Sequence, residues 1–154
     1  MPPVPKPPKA TSQPTVEIFI DGASQGNPGP AGIGIAIQRG SDGATAQTLF
    51  KYIGTATNNV AEYTALIYAV QEALIRGYRD IVVKTDSELL AKQIMGEYKV
   101  RDETLRSYWE QYLHLKRGFA TLRVEHIPRE KNGLADRLAA EAIESRIDTS
   151  LKSG

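Results

Sequence analysis

The sequence predicts an α/β fold, a mixed five-stranded sheet made of a three-strand antiparallel meander plus two parallel strands and flanked by helices. Three observations predict it. Between residues 16 and 53, short runs rich in β-branched residues are separated by Gly-, Pro- and Ser-rich turns. From Asn58 the apolar residues recur at steps of three and four, the spacing of an amphipathic helix. Beyond Gly77 short apolar runs alternate with helical segments, giving the order β-β-β-α-β-α-α-β-α.

Residues 1–14 (MPPVPKPPKATSQP) hold six of the nine prolines and almost nothing to bury, so they are expected to be a disordered Pro-rich tail. The folded domain is expected over 15–147, with 148–154 a C-terminal tail. Val16 to Ile20 reads as a first strand stopped at Asp21, and residues 22–32 (GASQGNPGPAG) as a loop by composition. Ile33 to Gln38 and Thr48 to Ile53 read as the second and third strands, separated by the turn-forming residues 40–43. Val60, Tyr63, Ile67, Val70 and Leu74 mark a long helix ending near Gly77. Ile81 to Thr85 is a fourth, buried strand, and Ser87 to Met95 a short helix capped by Asp86 or Ser87. Residues 102–117 form a charged helix whose Leu105-Trp109-Leu113 stripe places the single tryptophan in the core. Leu122 to His126 alternates as a fifth strand, and an Ala-rich helix over 132–146 follows with Asn132 as its cap.

Composition narrows the chemistry. A chain of 154 residues with no cysteine has no disulfide framework, thiolate metal site or Cys nucleophile, and two histidines make a multi-histidine zinc site improbable. No apolar run approaches the roughly 20 residues that span a bilayer, and a cytoplasmic protein is the expectation. The net charge of +1 demands no polyanion partner. With four acids set aside for cations, however, the part after the tail carries +3, which permits a nucleic-acid surface.

Four of the acids stand at element ends. Asp21 ends the first strand and Asp86 the fourth, Glu62 lies in the first turn of the long helix, and Asp136 in the first turn of the last. Leu66, Ala69 and Ala73 follow Glu62 at helical spacing, which turns that stripe inward. Taken singly, each acid is equally well a turn former or a helix-dipole partner. Converging, four carboxylates would repel and could not all ionise at neutral pH without cations among them. All-oxygen ligation then points to Mg²⁺ or Mn²⁺.

The segments FIDGASQGNPGPAGIG, TNNVAEYTAL, VKTDSELL and HIPREKNGLADRLA carry these acids in order. They resemble the four motifs of the type 1 ribonuclease H family, and the resemblance extends from about Val16 to Arg146. It implies an RNase H-like fold and an endoribonuclease that hydrolyses the RNA strand of RNA/DNA hybrids, leaving 3′-hydroxyl and 5′-phosphate ends. It implies catalytic and metal-binding roles for Asp21, Glu62, Asp86 and Asp136, with Asp21, Glu62 and Asp86 serving one Mg²⁺ ion and Asp21 with Asp136 a second. Two such ions about 4 Å apart suit phosphodiester hydrolysis, and Mn²⁺ is a ready substitute. The resemblance also gives substrate contacts to Ser24, Gly26, Asn27, Asn59 and Ser87, the first three on a loop that senses 2′-hydroxyls in the minor groove. The partner it implies is the hybrid duplex; double-stranded RNA stays open as a side substrate, since both A-like duplexes present 2′-hydroxyls in the minor groove, and the chain is expected to act as a monomer.

Two departures from the family pattern stand out. The histidine-bearing flexible loop of many bacterial members is replaced by His126-Ile127-Pro128-Arg129, as in archaeal and some bacterial members, which favours Arg129 over His126 as the assisting side chain. An arginine cannot serve as a general base at neutral pH, so Arg129 would contact phosphate or assist the leaving group. The basic protrusion is also missing: Glu97 to Arg101 joins two helices directly, and Lys92, Lys99, Arg101 and Arg106 read either as a reduced substitute or, the commoner case, as a solvated helix face. The competing readings are a non-catalytic nucleic-acid-binding module on the same fold and a DNA nuclease of the resolvase and transposase branch. Retention of all four acids weighs against the first, and the 2′-hydroxyl-reading loop against the second.

Overall fold

The structure is a computed structural model that describes residues 15–39 and 44–146. The two expected tails and the turn at 40–43 therefore lie outside the described residues. Strands β1 (Val16–Ser24), β2 (Gly29–Gln38) and β3 (Thr45–Ala56) form the antiparallel meander, and β4 (Asp80–Thr85) and β5 (Thr121–His126) extend the sheet in parallel. The sheet order is β3-β2-β1-β4-β5, the mixed five-stranded arrangement expected from the sequence. Helices α1 (Asn58–Ile75), α2 (Glu88–Ile94), α3 (Glu103–Lys116) and α4 (Gly133–Ser145) complete the fold, with one 3₁₀ turn at Arg129–Lys131.

The alternation of β1 and β2 side chains sends neighbouring residues to opposite faces, and this separates the helices. A Cβ on Gly22 would overlap the Ala61 carbonyl of α1, whereas one on Gly34, the cross-strand partner of Asp21, would overlap the Ala135 carbonyl of α4. Helix α1 thus packs on one face and α4 on the other, each at a distance that only glycine allows. Between sheet and α1 lies the core, in which Ile18, Ile20, Leu66, Val70 and Val83 are fully enclosed.

Several boundaries differ from the sequence reading. The segment taken as a loop over 22–32 is mostly strand: Gly22, Ala23 and Ser24 pair with Ile33, Gly32 and Ala31, leaving only residues 25–28 at the tip. Gly22 and Gly32 serve close helix packing, Gly26 and Gly29 the tight tip, and Asp21 lies within β1 rather than at its end. β3 likewise runs three residues beyond Ile53. Thr57 caps α1 by accepting from the Val60 N–H at 3.2 Å, so the helix begins at Asn58 and Glu62 falls in its second turn, not its first.

On α3, Leu105 and Tyr112 are buried two turns apart, Trp109 is only partly buried against the core, and Leu113 is exposed. The inward face therefore drifts toward Tyr112 and Leu115 instead of following Leu113, as a 3.6-residue period requires over seven positions. Ser87, rather than Asp86, caps α2 through the Leu90 N–H at 3.2 Å. Asn132 occupies the cap position of α4 but makes no side-chain cap hydrogen bond. Among the described residues, no helix is long and apolar enough to cross a membrane.

Candidate active site

The parallel pairing of β1 with β4 ends at Ile20 opposite Thr85, so the chain delivers Asp21 and Asp86 side by side at the carboxyl edge of the sheet. Glu62 joins them because α1 presses onto Gly22, whose N–H donates to Glu62 Oε2 at 3.3 Å. One oxygen from each of Asp21, Glu62 and Asp86 lies within 4.8 Å of the others. Asp136, in the first turn of α4, borders the same cleft, and its Oδ1 is 3.7 Å from Arg129 Nη2. It stands beside the triad rather than within it.

Burial and crowding make this arrangement electrostatically expensive. Asp21 and Glu62 are 4% and 5% exposed, and burial most of all, together with the charge of Asp86, raises both. Burial first, then the charge of Asp86 and the hydrogen bond and charge of Asp136, pushes Asp21 up to about 8 from its ordinary 3.8, against a smaller lowering by its hydrogen bond with Glu62. Glu62 is raised well above its ordinary 4.5, again by burial and then by the charges of Asp21 and Asp86, with the Gly22 N–H opposing. A set of oxygen donors that cannot all ionise alone fits a hard divalent cation, which would relieve the burial penalty and the repulsion together.

The cleft measures about 210 Å³. Two larger hollows, of about 530 and 490 Å³, lie between β3, α1 and α3 and at the junction of α2 with α3, and neither gathers acids. The small one is therefore the chemical centre.

The other residues singled out in the sequence divide into those at the cleft and those away from it. Ser87 lines it, with its N–H donating to Thr85 Oγ1 at 3.0 Å. Arg129 lines it from the 3₁₀ turn, whereas His126 is an exposed residue at the end of β5 outside the lining. At the β1–β2 tip, Ser24 Oγ lies within hydrogen-bonding reach of the carbonyls of Gly26 and, at 2.9 Å, Ala56. Gly26 has φ of +101°. Asn27 Oδ1 accepts from the Asn58 N–H at 3.0 Å, which fastens the tip to the start of α1. Asn59 is exposed, and it is its neighbour Asn58 that lines the cleft.

Sequence reasoning missed three contributors. The sequence reads Gly22 as loop, points to Asn59 rather than Asn58, and offers Asn132 as a helix cap. Asn132 is instead buried, with Nδ2 donating to the Ile20 carbonyl at 2.8 Å and to Asp86 Oδ2 at 3.1 Å. The signal for Gly22 was present in its position directly after an acid within a strand-like run; nothing local marks Asn132.

Residues 19–142 match the reverse-transcriptase-like family. Over 129 residues the chain is 42% identical to ribonuclease HI of Halobacterium salinarum, covering 84% of this chain and 64% of that protein. The crystal structure of RNase H1 from that archaeon is similar with a TM-score of 0.82 and 40% identity, covering 86% of this chain and 99% of the other. That of LC11-RNase H1 in complex with an RNA/DNA hybrid gives a TM-score of 0.81 and 42% identity with the same coverage. The bifunctional protein Rv2228c of Mycobacterium tuberculosis is 38% identical over 130 residues, 84% of this chain and 36% of that protein. The chain thus spans less than two thirds of the length of these curated relatives.

Proposed function

The chain belongs to the ribonuclease H family, type 1, and on that premise we propose that it is a metal-dependent endoribonuclease that hydrolyses the RNA strand of RNA/DNA hybrids, leaving 3′-hydroxyl and 5′-phosphate ends. The observation that carries this reading is the convergence of Asp21, Glu62 and Asp86 within 4.8 Å, two of them buried and held above their ordinary pKa. A binding module would gain nothing from an arrangement that costs the fold stability.

In this reading Asp21, Glu62 and Asp86 would hold one Mg²⁺, and Asp21 with Asp136 would hold a second, with Mn²⁺ as a substitute. The chemistry supplied when the ions are bound is Lewis acidity toward water, the phosphate and the departing oxyanion. The chain's own residues orient the duplex. Ser24, Gly26 and Asn27 present the β1–β2 tip to the minor groove, where 2′-hydroxyls mark the RNA strand. Asn58 and Ser87, which line the cleft, flank the cut, and Arg129, permanently charged, steadies the scissile phosphate or its leaving oxygen. His126, exposed and outside the cleft, plays the smaller part. The catalytic domain over 15–147, between a Pro-rich tail and a C-terminal tail, and the cytoplasmic, monomeric setting rest on the sequence alone.

The test presents one RNA sequence single-stranded, in RNA/RNA and in RNA/DNA, each with Mg²⁺, Mn²⁺ or chelator, alongside Asp21→Asn. Metal-dependent cutting of the hybrid's RNA strand, lost in the variant, is the expected outcome. Hybrid binding without cutting under either metal would overturn it in favour of a binding module. Cutting of RNA/RNA at a comparable rate would widen the substrate to A-form duplexes.

A further inference from the structure

Asn132 holds three of the acid-bearing elements at once. Its Nδ2 donates to the Ile20 carbonyl of β1 at 2.8 Å, one residue before Asp21, and to Asp86 Oδ2 beyond β4 at 3.1 Å. Its own carbonyl accepts from the Asp136 N–H at 3.1 Å, starting α4. We propose that Asn132 is a positioning residue for the metal site, fixing the Asp86 carboxylate and its spacing from Asp21.

Two features argue that this arrangement serves the site rather than the helix. A residue at the cap position ordinarily turns its side-chain oxygen to an N–H of the first helical turn, and Asn132 does not. Its Oδ1 is instead buried without a hydrogen-bond partner. Turning the amide toward α4 would cap the helix and satisfy Oδ1 together. Flipping it in place would set Oδ1 against two acceptors, the Ile20 carbonyl and the Asp86 carboxylate, so the observed orientation is fixed by those two groups. The residue accepts an unpartnered oxygen in order to give both N–H groups to the acid edge of the sheet. A carboxylate tethered through one oxygen presents the other in a defined direction, which is what a cation ligand requires. The same amide keeps β1 and the end of β4 in register at the point where their ladder stops.

The proposal rests on the metal-site reading of the acids. The experiment therefore measures Mn²⁺ binding directly, by titration calorimetry and by the spin-resonance signal of free Mn²⁺, on the full chain without substrate. Asn132→Ala and Asn132→Ser are compared with wild type, and with Gln93→Ala as a control. Gln93 is also a buried amide, bonded to the Tyr63 hydroxyl at 2.7 Å and the Lys99 carbonyl at 3.2 Å, but it lies away from the cleft. Both Asn132 variants are expected to bind Mn²⁺ about tenfold or more weakly. Their kcat on hybrid should recover as metal is raised, with KM for the hybrid within about twofold of wild type. Gln93→Ala should lose thermal stability and keep its Mn²⁺ affinity. Mn²⁺ affinity within twofold of wild type in the folded Asn132 variants would overturn the proposal. So would failure of both variants to fold, which would assign the residue to the fold. Absence of Mn²⁺ binding by wild type would instead sink the metal-site reading and this inference with it.

Discussion

Replacing Asp21 by asparagine should stabilise the metal-free protein while abolishing cleavage. An unfolded chain carries this carboxylate ionised above its ordinary value of 3.8, but in the fold it is buried beside Asp86 and Asp136 and rises to about 8. At pH 7 the fold therefore opposes the group's ordinary acidity over about three pH units, which at about 1.4 kcal/mol each sets a ceiling of about 4 kcal/mol. Movement of the neighbouring carboxylates and entry of water return part of this. The expected gain from Asp21→Asn is about 1–3 kcal/mol, or about 3–10 °C in Tm for a domain of this size. The amide keeps the shape of the carboxylate, removes its charge, and adds donors that face Glu62 and Asp136.

The pH dependence gives the sign. The folded pKa is raised, so between 3.8 and about 8 the native state holds more protons than the unfolded one, and wild-type stability falls as pH rises through that window. Below about pH 4 the penalty is absent, and above about 8 it is fully developed. Thermal scans in chelator from pH 4 to 9 should show the variant's advantage vanishing near pH 4 and growing to pH 8. Added Mg²⁺ or Mn²⁺ should raise the wild-type Tm and move the variant's much less. A variant less stable than wild type at pH 7 in chelator, or two Tm curves running parallel across the window, would refute the reasoning.

Other perturbations probe the neighbouring parts. Gly22→Ala forces a Cβ into the Ala61 carbonyl, so urea unfolding should show a loss of about 1–3 kcal/mol, and cleavage should fall with it because Glu62 is displaced. Arg129→Ala, whose side chain is 80% exposed, should leave stability within about 0.5 kcal/mol while lowering kcat about tenfold, and His126→Ala should change kcat less than twofold; equal effects would remove the preference for Arg129. Lys92 is paired with Glu88 at 3.0 Å, whereas Lys99 and Arg101 are exposed and have no ion pair among the described residues. Lys99→Ala and Arg101→Ala should therefore each weaken hybrid binding and flatten its salt dependence by about one phosphate contact, with Lys92→Ala doing less.

Much of the site was legible because its acids sit in strongly patterned surroundings. Asp86 follows the apolar run at 81–83, Glu62 heads an inward stripe through Leu66, Ala69 and Ala73, and Asp136 opens an Ala-rich helix; all these settings recur in the structure. Order and element type could be read from periodicity, since the 2.0 and 3.6 periods are local properties of the chain. What could not be read is long-range. Asn132 meets Ile20 across 112 residues and Asp86 across 46, and a single asparagine before a helix looks the same whether it caps that helix or tethers a strand. The choice of Asn58 over Asn59 at the cleft depends on where Thr57 starts the helix, a matter of one residue in the cap.

The largest misreading, the loop at 22–32, has the same physical origin as the site. Gly22 and Gly32 read as loop residues because they carry no Cβ, and a Cβ at either would run into a helix, α1 at Gly22 and α4 at Gly32. Gly22 admits α1 and so brings in Glu62; Gly34, opposite Asp21, admits α4 and so brings in Asp136. Two of the four acids reach the cleft only through that thinness. With larger residues at either position the sheet would still pair, its register being set by backbone hydrogen bonds and by the isoleucines around it. The acids carried on the helices would then stand too far from Asp21 and Asp86 to share a cation with them. The weak strand signal is thus a consequence of building a charged cluster where two helices and two strand ends must meet.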